Sequence, residues 1–297
     1  MRINREKMLA RMRYDEEKNK RRGSVGFVET IKDGEEKKLR IVPAKSLLEF
    51  IRKNQNDPNA VYDADDVPYC DIYVHQNIGG RWQDKVYCPL QMKNEPCPIC
   101  KVVEELKKSK NKDDVQLASK LALRHRIRFL VIDRDNESDG PLFFETSKDN
   151  GNIIIGYFND SDYGNLDDPE EGYDIKVKRT GSNSKDTRYK ITPRPMTSKL
   201  IENKEGEIDY ETIFGWIEKM PNINDISKLR IFNADELTAL LNGEVSLSDL
   251  YGSASEVSDE DEDEDEGTEE DTTEDEEPEE KPKVKLTAKS TIVRKVR

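Results

Sequence analysis

From Val25 onward the hydrophobic positions change period twice, and each change marks a different kind of element. GFVETI, LRIVP, VPYCDIYVHQNI and RWQDKVYC are short runs rich in β-branched and aromatic residues, which predicts strands. Gly79-Gly80 stands where a two-residue hairpin turn is wanted, so His75 and Cys88 are expected on the two strands of one hairpin. After Cys97 the period lengthens. Ile99, Val102, Val103 and Leu106 recur at helical spacing, Pro98 suits a first turn, and the segment from Lys107 to Lys112 gives the helix a polar end. A second helix is predicted from Asp113 or Asp114 through Val115, Ala118, Leu121 and Ala122. Strands resume with IRFLVID and PLFFETS around the turn-rich RDNESDG, whereas the run NIIIGYF has no period that assigns it.

Further on, DIKVK and RYKIT alternate on either side of GSNSKD, so residues 172–193 read as a hairpin with a long polar loop. Residues 208–242 read as helical, with IDYETIFGWIEKM and ADELTALLNG as the two clearest runs. Beyond them the apolar content almost vanishes, and a segment that cannot bury apolar surface is expected to stay disordered. The predicted class is therefore α+β, with a β-rich body over 25–252 whose C-terminal part is helical. A basic arm at 1–24 precedes that body, and an acidic tail at 253–280 and a basic extension at 281–297 follow it. No internal repeat is present.

Charge sharpens this division. The net charge is −14, yet residues 256–280 alone hold eighteen Asp and Glu and no Lys or Arg, so the rest of the chain is net positive. Residues 1–24 hold nine basic against four acidic residues, with a cluster at Lys20, Arg21 and Arg22, and residues 281–297 hold seven basic and no acidic ones. The body between the flanks is acidic overall, so any polyanion site on it must be local. No apolar run approaches the ~20 residues that cross a bilayer, and the first residues lack the apolar block of a secretory signal. An intracellular, membrane-independent protein is expected, and in a reducing compartment its four cysteines are ligands or thiols before they are disulfides.

Three of those cysteines and one of the two histidines fall within residues 74–100. A structural zinc takes four Cys or His ligands, and a Cys-x-x-Cys pair lets two sulfurs meet one ion from a tight turn. His75, Cys88, Cys97 and Cys100 form such a set for Zn2+. Cys70 is the rival fourth ligand, since an all-cysteine site would use it in place of His75, and a redox Cys-x-x-Cys would leave Cys88 and His75 unexplained. Zinc nucleobase deaminases also carry Pro-Cys-x-x-Cys, but they need a Glu two residues after the ligating His, where this chain has Asn77. No glycine-rich phosphate loop or histidine-based triad is present, so no enzyme is expected.

Basicity returns locally. Residues 101–134 carry ten Lys and Arg against five acidic residues, and 172–199 carry eight against two, both interleaved with aromatic side chains. Cations that track phosphates beside aromatic faces that stack bases are the means of holding single-stranded nucleic acid. The candidate contacts are Arg81, Trp82, Lys120, Arg124, Arg126, Arg128, Lys176, Lys178, Arg179, Arg188 and Tyr189. The alternative is an interaction adaptor whose zinc knuckle binds a protein and whose tail is a solubilising linker.

Over about residues 37–195 the chain resembles the single-stranded-DNA-binding, helix-destabilising proteins of T-even-like tailed phages. The resemblance rests on Leu39-Arg40-Ile41-Val42-Pro43, on a His twelve residues before a Cys with Gly80-Arg81-Trp82 between them, and on Cys97-Pro98-Ile99-Cys100. Arg128-Phe129-Leu130-Val131-Ile132-Asp133 and the hairpin from Gly172 to Ile191 complete it. It implies an oligonucleotide-binding (OB) barrel with an embedded zinc subdomain, here at about 67–124, and a basic cleft for a single strand. It favours His75 over Cys70. It also implies self-association on DNA through the arm at Lys20, Arg21 and Arg22, replication and recombination partners for the acidic tail, and a host-cytoplasmic location. The family's acidic tail usually ends the chain, so the basic extension KPKVKLTAKSTIVRKVR is a departure from it.

Overall fold

The structure, a computed structural model, describes residues 25–55, 57, 60–62, 66–78, 85–182 and 186–252. The basic arm, the Gly79-Gly80 turn with Arg81 and Trp82, and both charged tail segments lie outside the described residues. The described residues divide into two compact units: 25–73 with Arg124–Arg230, and Val74–Leu123 with 231–252.

In the first unit the sheet is built on β1 (Glu36–Ile41), which pairs antiparallel with β4 (Arg124–Asp133) and with β6 (Tyr173–Thr180). β5 (Leu142–Ser147) pairs along β4, and β7 (Arg188–Thr197) returns along β6 as the predicted hairpin. β2 (Tyr69–Gln76) neighbours β4, giving the order β2-β4-β1-β6-β7 with β5 off β4. Mixed α and β content is as expected. The described pairings leave the sheet open, where the family resemblance implies a barrel.

β4 explains its own continuous apolar run. Ile127, Phe129 and Val131 enter one core with Leu39, Ile41, Ile175 and Val177, while Leu130 and Ile132 enter a second core. That second core also takes Val42, Leu48, Ile213 and Ile217. A strand covered on both faces needs apolar residues at successive positions and not at every other one. The second core is closed by α1 (Lys45–Lys53) and α6 (Tyr210–Ile217), of which α1 has no counterpart in the predicted elements.

One other expectation changes, and one run left unassigned is settled. GFVETI forms no strand; it contributes a single bridge, Phe27 to Phe143, held by Val28 N–H to Phe143 O (2.9 Å) and Phe143 N–H to Gly26 O (2.8 Å). The run NIIIGYF is the end of helix α5 (Lys148–Phe158), whose N-terminus is capped by Ser147 accepting from Asn150 N–H. Ile154 is fully buried while Ile153 is 43% exposed, so three consecutive isoleucines serve three directions of one helix.

The second unit holds the end of β2 with β3 (Lys85–Tyr87), the short α2 (Pro89–Lys93), α3 (Pro98–Lys108) and α4 (Lys112–Leu121). The last two match the predicted helices, with Asn111 capping α4 through Asp113 N–H. α7 (Ala234–Asn242) packs on α3, and α8 (Leu247–Gly252) follows it, so residues from Ile231 onward belong with this unit and not with a helical end of the body. α7 buries Leu237 and Leu240, and it stops where Gly243 adopts φ 72°. No helix among the described residues is long and apolar enough to cross a membrane.

Gly151 of α5 faces Ile127, and a Cβ added there would lie 2.6–2.9 Å from three Ile127 side-chain atoms, its own Cβ included. Gly151→Ala is therefore expected to destabilise the protein by about 1–3 kcal/mol through overpacking. The gain of roughly 1 kcal/mol that alanine gives in an exposed helix offsets part of this, leaving a net loss of about 0–2 kcal/mol. Urea unfolding measures the change, and a raised midpoint would contradict this close approach.

Candidate metal centre

Four local structures converge on one point in the second unit. β2 pairs with β3 through Val74 to Tyr87, His75 to Val86 and Gln76 to Lys85, which fixes His75 in a fully buried position. Cys88 stands one residue past β3, at the extended residue that caps α2, so it is not on a hairpin strand as expected. Asn94 then ends α2 in the left-handed conformation (φ 58°), turning the chain toward Cys97. Cys97 is the extended N-cap of α3, Pro98 opens the helix with its fixed φ, and Cys100 lies in the first turn. The Cys-x-x-Cys spacing thus brings two thiols to one helix start.

The ligand atoms of His75, Cys88, Cys97 and Cys100 all lie within 4.8 Å of one another. Cys97 Sγ and Cys100 Sγ are each 3.5 Å from His75 Nε2, and Cys88 Sγ is 3.6 Å from Cys100 Sγ. A tetrahedral zinc with Zn–S of ~2.3 Å and Zn–N of ~2.0–2.1 Å has N···S edges of about 3.5 Å and S···S edges of about 3.8 Å. These contacts therefore fit the edges of such a tetrahedron. His75 Nδ1 lies 2.8 Å from Leu121 O at the end of α4, and as the donor of that bond it leaves the Nε2 lone pair facing the sulfurs. Asn77 ties the same strand end to α4, donating from Nδ2 to Lys120 O at 3.0 Å. The set is compatible with a metal ion bound by four protein ligands.

Its electrostatics favour a cation. A hydrogen bond from Cys97 draws Cys88 down to about 4, whereas Cys97, as the donor in that bond, is pushed strongly up and burial raises Cys100 to about 11. Thiols this close oppose one another's ionisation, and a divalent ion supplies the charge that stabilises three thiolates together.

Cys70, the rival ligand, is outside this cluster. It is buried in β2 with its thiol pushed up to about 11 by that burial, the state of an inert core cysteine. His125 is also no part of the cluster: its Nε2 donates to Asp71 Oδ1 at 2.5 Å, and its ring stacks on Tyr73 with centroids 4.4 Å apart.

The candidate nucleic-acid contacts separate into three groups. Lys120 and Arg124 are exposed, on α4 and at the start of β4. Lys176 and Lys178 lie on the side of the β6–β7 hairpin away from the first core, where register adds Lys38, opposite Lys176, and Lys190, opposite Lys178; Arg188, opposite Thr180, follows the same alternation. Glu36, 3.6 Å from Lys176, is the exposed acid of this face, and Asp174, opposite Arg40, is a buried one paired with Arg134. Arg179 and Tyr189 pair with each other on the opposite, core-facing side, where Arg179 donates to Ile31 O at 2.8 Å and Tyr189 packs against the core. The aromatic interleaving of the second basic patch is therefore a product of strand alternation. Tyr189 and Tyr173 pack with the core, not among the lysines.

Arg126 is half-buried, and burial lowers its pKa. Arg128 requires a correction: it is 4% exposed and donates from Nε (2.9 Å) and Nη2 (2.5 Å) to Glu145 Oε1, so its charge is neutralised inside the protein. Lys38 and Lys190 were absent from the sequence-based candidates because only register shows that they share a face with Lys176 and Lys178. Arg81, Trp82, Lys20, Arg21 and Arg22 lie outside the described residues. No protein-family model and no curated protein matches this sequence.

Metal analysis of natively purified protein is expected to find one divalent ion per chain. Cys100→Ser should lose it and lower the unfolding temperature, and a chelator should lower that of the wild type alone. Affinity is expected to fall as pH falls, because binding must displace protons from Cys97 and Cys100, whose pKa values are raised. A metal-free native protein indifferent to chelator would contradict the site.

Proposed function

We propose that this is a non-enzymatic single-stranded DNA-binding protein, braced by zinc, of the kind it resembles among the T-even-like phages. One observation carries the reading: Lys38, Lys176, Lys178, Arg188 and Lys190 share one face of β1, β6 and β7, where the same alternation places two acids, Glu36 and the buried Asp174, the latter already paired with Arg134. Lys178 and Lys190 are directly opposed across the hairpin. Like charges in that position destabilise a sheet, and a bound polyanion removes the penalty.

Connectivity supports a single strand as that polyanion. Numbered in chain order, β1, β4, β5, β6 and β7 pair as 3-2-1-4-5, with α5 between the third and fourth. This is consistent with a partly open OB barrel, a fold that binds oligonucleotides through the face of its second and third strands, here β4 and β5, and two adjoining loops. The lysines, on the first, fourth and fifth strands, extend that face across the sheet. In this reading the loop between the first two strands carries the metal-binding residues, and the second loop is the hairpin connection at 181–187. Zinc is the ion that a closed set of three Cys and one His favours, and four protein donors leave no position for a catalytic water. Its role is structural: it fixes a β-ribbon to the start of a helix. The acidic segment 256–280 competes with DNA for the cations and recruits replication and recombination proteins when DNA displaces it.

Titration with oligo-dT and with duplex of equal length, at fixed salt, tests this. Tighter binding of the single strand is expected. Lys178→Glu combined with Lys190→Glu should weaken it and make the slope of log K against log salt shallower by about 1.4, at ~0.7 per phosphate contact. Equal affinity for both nucleic acids, or none for either, would refute the proposal, and in the second case a protein-binding knuckle becomes the better reading. Deleting residues 256–297 should tighten binding of oligo-dT; unchanged affinity would show that the tail does not compete.

A further inference from the structure

Arg128 has no role as a phosphate contact, yet its position is specific. On the side of β4 and β5 away from the first core, its guanidinium carbon lies 4.7 Å from the ring centroid of Phe143 and 5.9 Å from that of Phe27. Glu145 holds it there through two hydrogen bonds. The two rings meet at 5.4 Å with a 48° tilt, and the backbone bridge between Phe27 and Phe143 sets their spacing. Phe143 is partly buried against the second core, whereas Phe27 is 51% exposed.

An exposed phenylalanine alone is ordinary. What distinguishes Phe27 is that a backbone bridge fixes its main chain and its ring is backed by an aromatic residue and an immobilised cation. A side chain so held loses little further freedom when a flat ligand covers it. Beside Phe143 opens a cleft of about 610 Å³, which Val25 also lines. Three lysines and three carboxylates share its walls. That balance gives no net attraction for a phosphate, so the cleft suits the uncharged part of a nucleotide.

We propose that Phe27 is a base-stacking residue: an unpaired base lies on its outer face, with Phe143, which also lines the cleft, and Arg128 as positioning residues beneath. The inference rests on the single-strand reading above and deepens it, separating a stacking locus on β4 and β5 from the phosphate-contacting lysines of β1, β6 and β7. It places the aromatic contact at a residue outside the basic patches.

The test uses the full-length protein, oligo-dT, and an abasic oligomer of the same length. Phe27→Leu keeps an apolar side chain and removes the ring. It is expected to weaken oligo-dT binding about fivefold or more, the lower end of what a stacked base contributes. Affinity for the abasic oligomer and the salt slope should remain those of the wild type, and Phe27→Trp should restore binding to oligo-dT. If Phe27→Leu binds oligo-dT as the wild type does, stacking at Phe27 is refuted while single-strand binding stands. An equal loss on both oligomers refutes it too, because the residue then acts through the fold. Failure of the wild type to bind either oligomer removes the underlying reading together with the proposal.

Discussion

Three sulfurs packed with an imidazole nitrogen within 4.8 Å of one another cannot all be thiolates unless a cation lies among them. Much of the second unit follows from this constraint. The hydrogen bond from His75 to Leu121 orients the ring, the left-handed turn at Asn94 returns the chain, and the proline-opened helix brings up two thiols. The apolar residues of this segment are few, Val86, Met92, Ile99, Val103, Ala118 and Leu121 among them. A bound ion makes its binding energy part of the folding energy of such a segment. The packing of α7 on α3, which buries Leu237 and Leu240, is the apolar complement to that contribution.

In the first unit the organising fact is that β4 is covered on both faces. A buried cationic side chain must find compensating acceptors or lose its charge, and Arg128 finds Glu145 across the β4–β5 pair. Arg40 solves the same problem with backbone: fully buried, it donates to the carbonyls of Leu166, Asp168, Tyr173 and Ser198. Burial lowers it to about 10, which leaves it cationic at neutral pH. Basicity along the chain is therefore a poor measure of basicity at the surface. The cationic face arises from Lys38, Lys176, Lys178, Arg188 and Lys190, which belong to three strands.

Aromatic residues follow the same logic. Tyr173 and Tyr189, adjacent in sequence to the lysines, turn inward because side chains alternate along a strand. Phe27, remote from both basic patches, is the ring that a buried arginine and a neighbouring phenylalanine hold at the surface. A division of labour between a lysine face and an aromatic locus fits a ligand with a charged backbone and flat, uncharged bases.

The sequence by itself determined whatever depends on near neighbours. The Cys-x-x-Cys before a proline-opened helix, the polar loop between two alternating runs and the helix ending at Gly243 could all be read because their causes lie within a few residues. Among the ligands, the spacing left Cys70 open as a rival to His75, and packing decided between them by placing the imidazole beside Leu121 O and among the three other sulfurs. The isoleucine run at 153–155 carried no period, and only contact with β4 across Gly151 made it a helix face. The cationic face and the fate of Arg128 depended on strand register, a relation between residues roughly 10 to 140 positions apart. Local pattern specifies which way a side chain alternates; tertiary pairing alone specifies what stands opposite it.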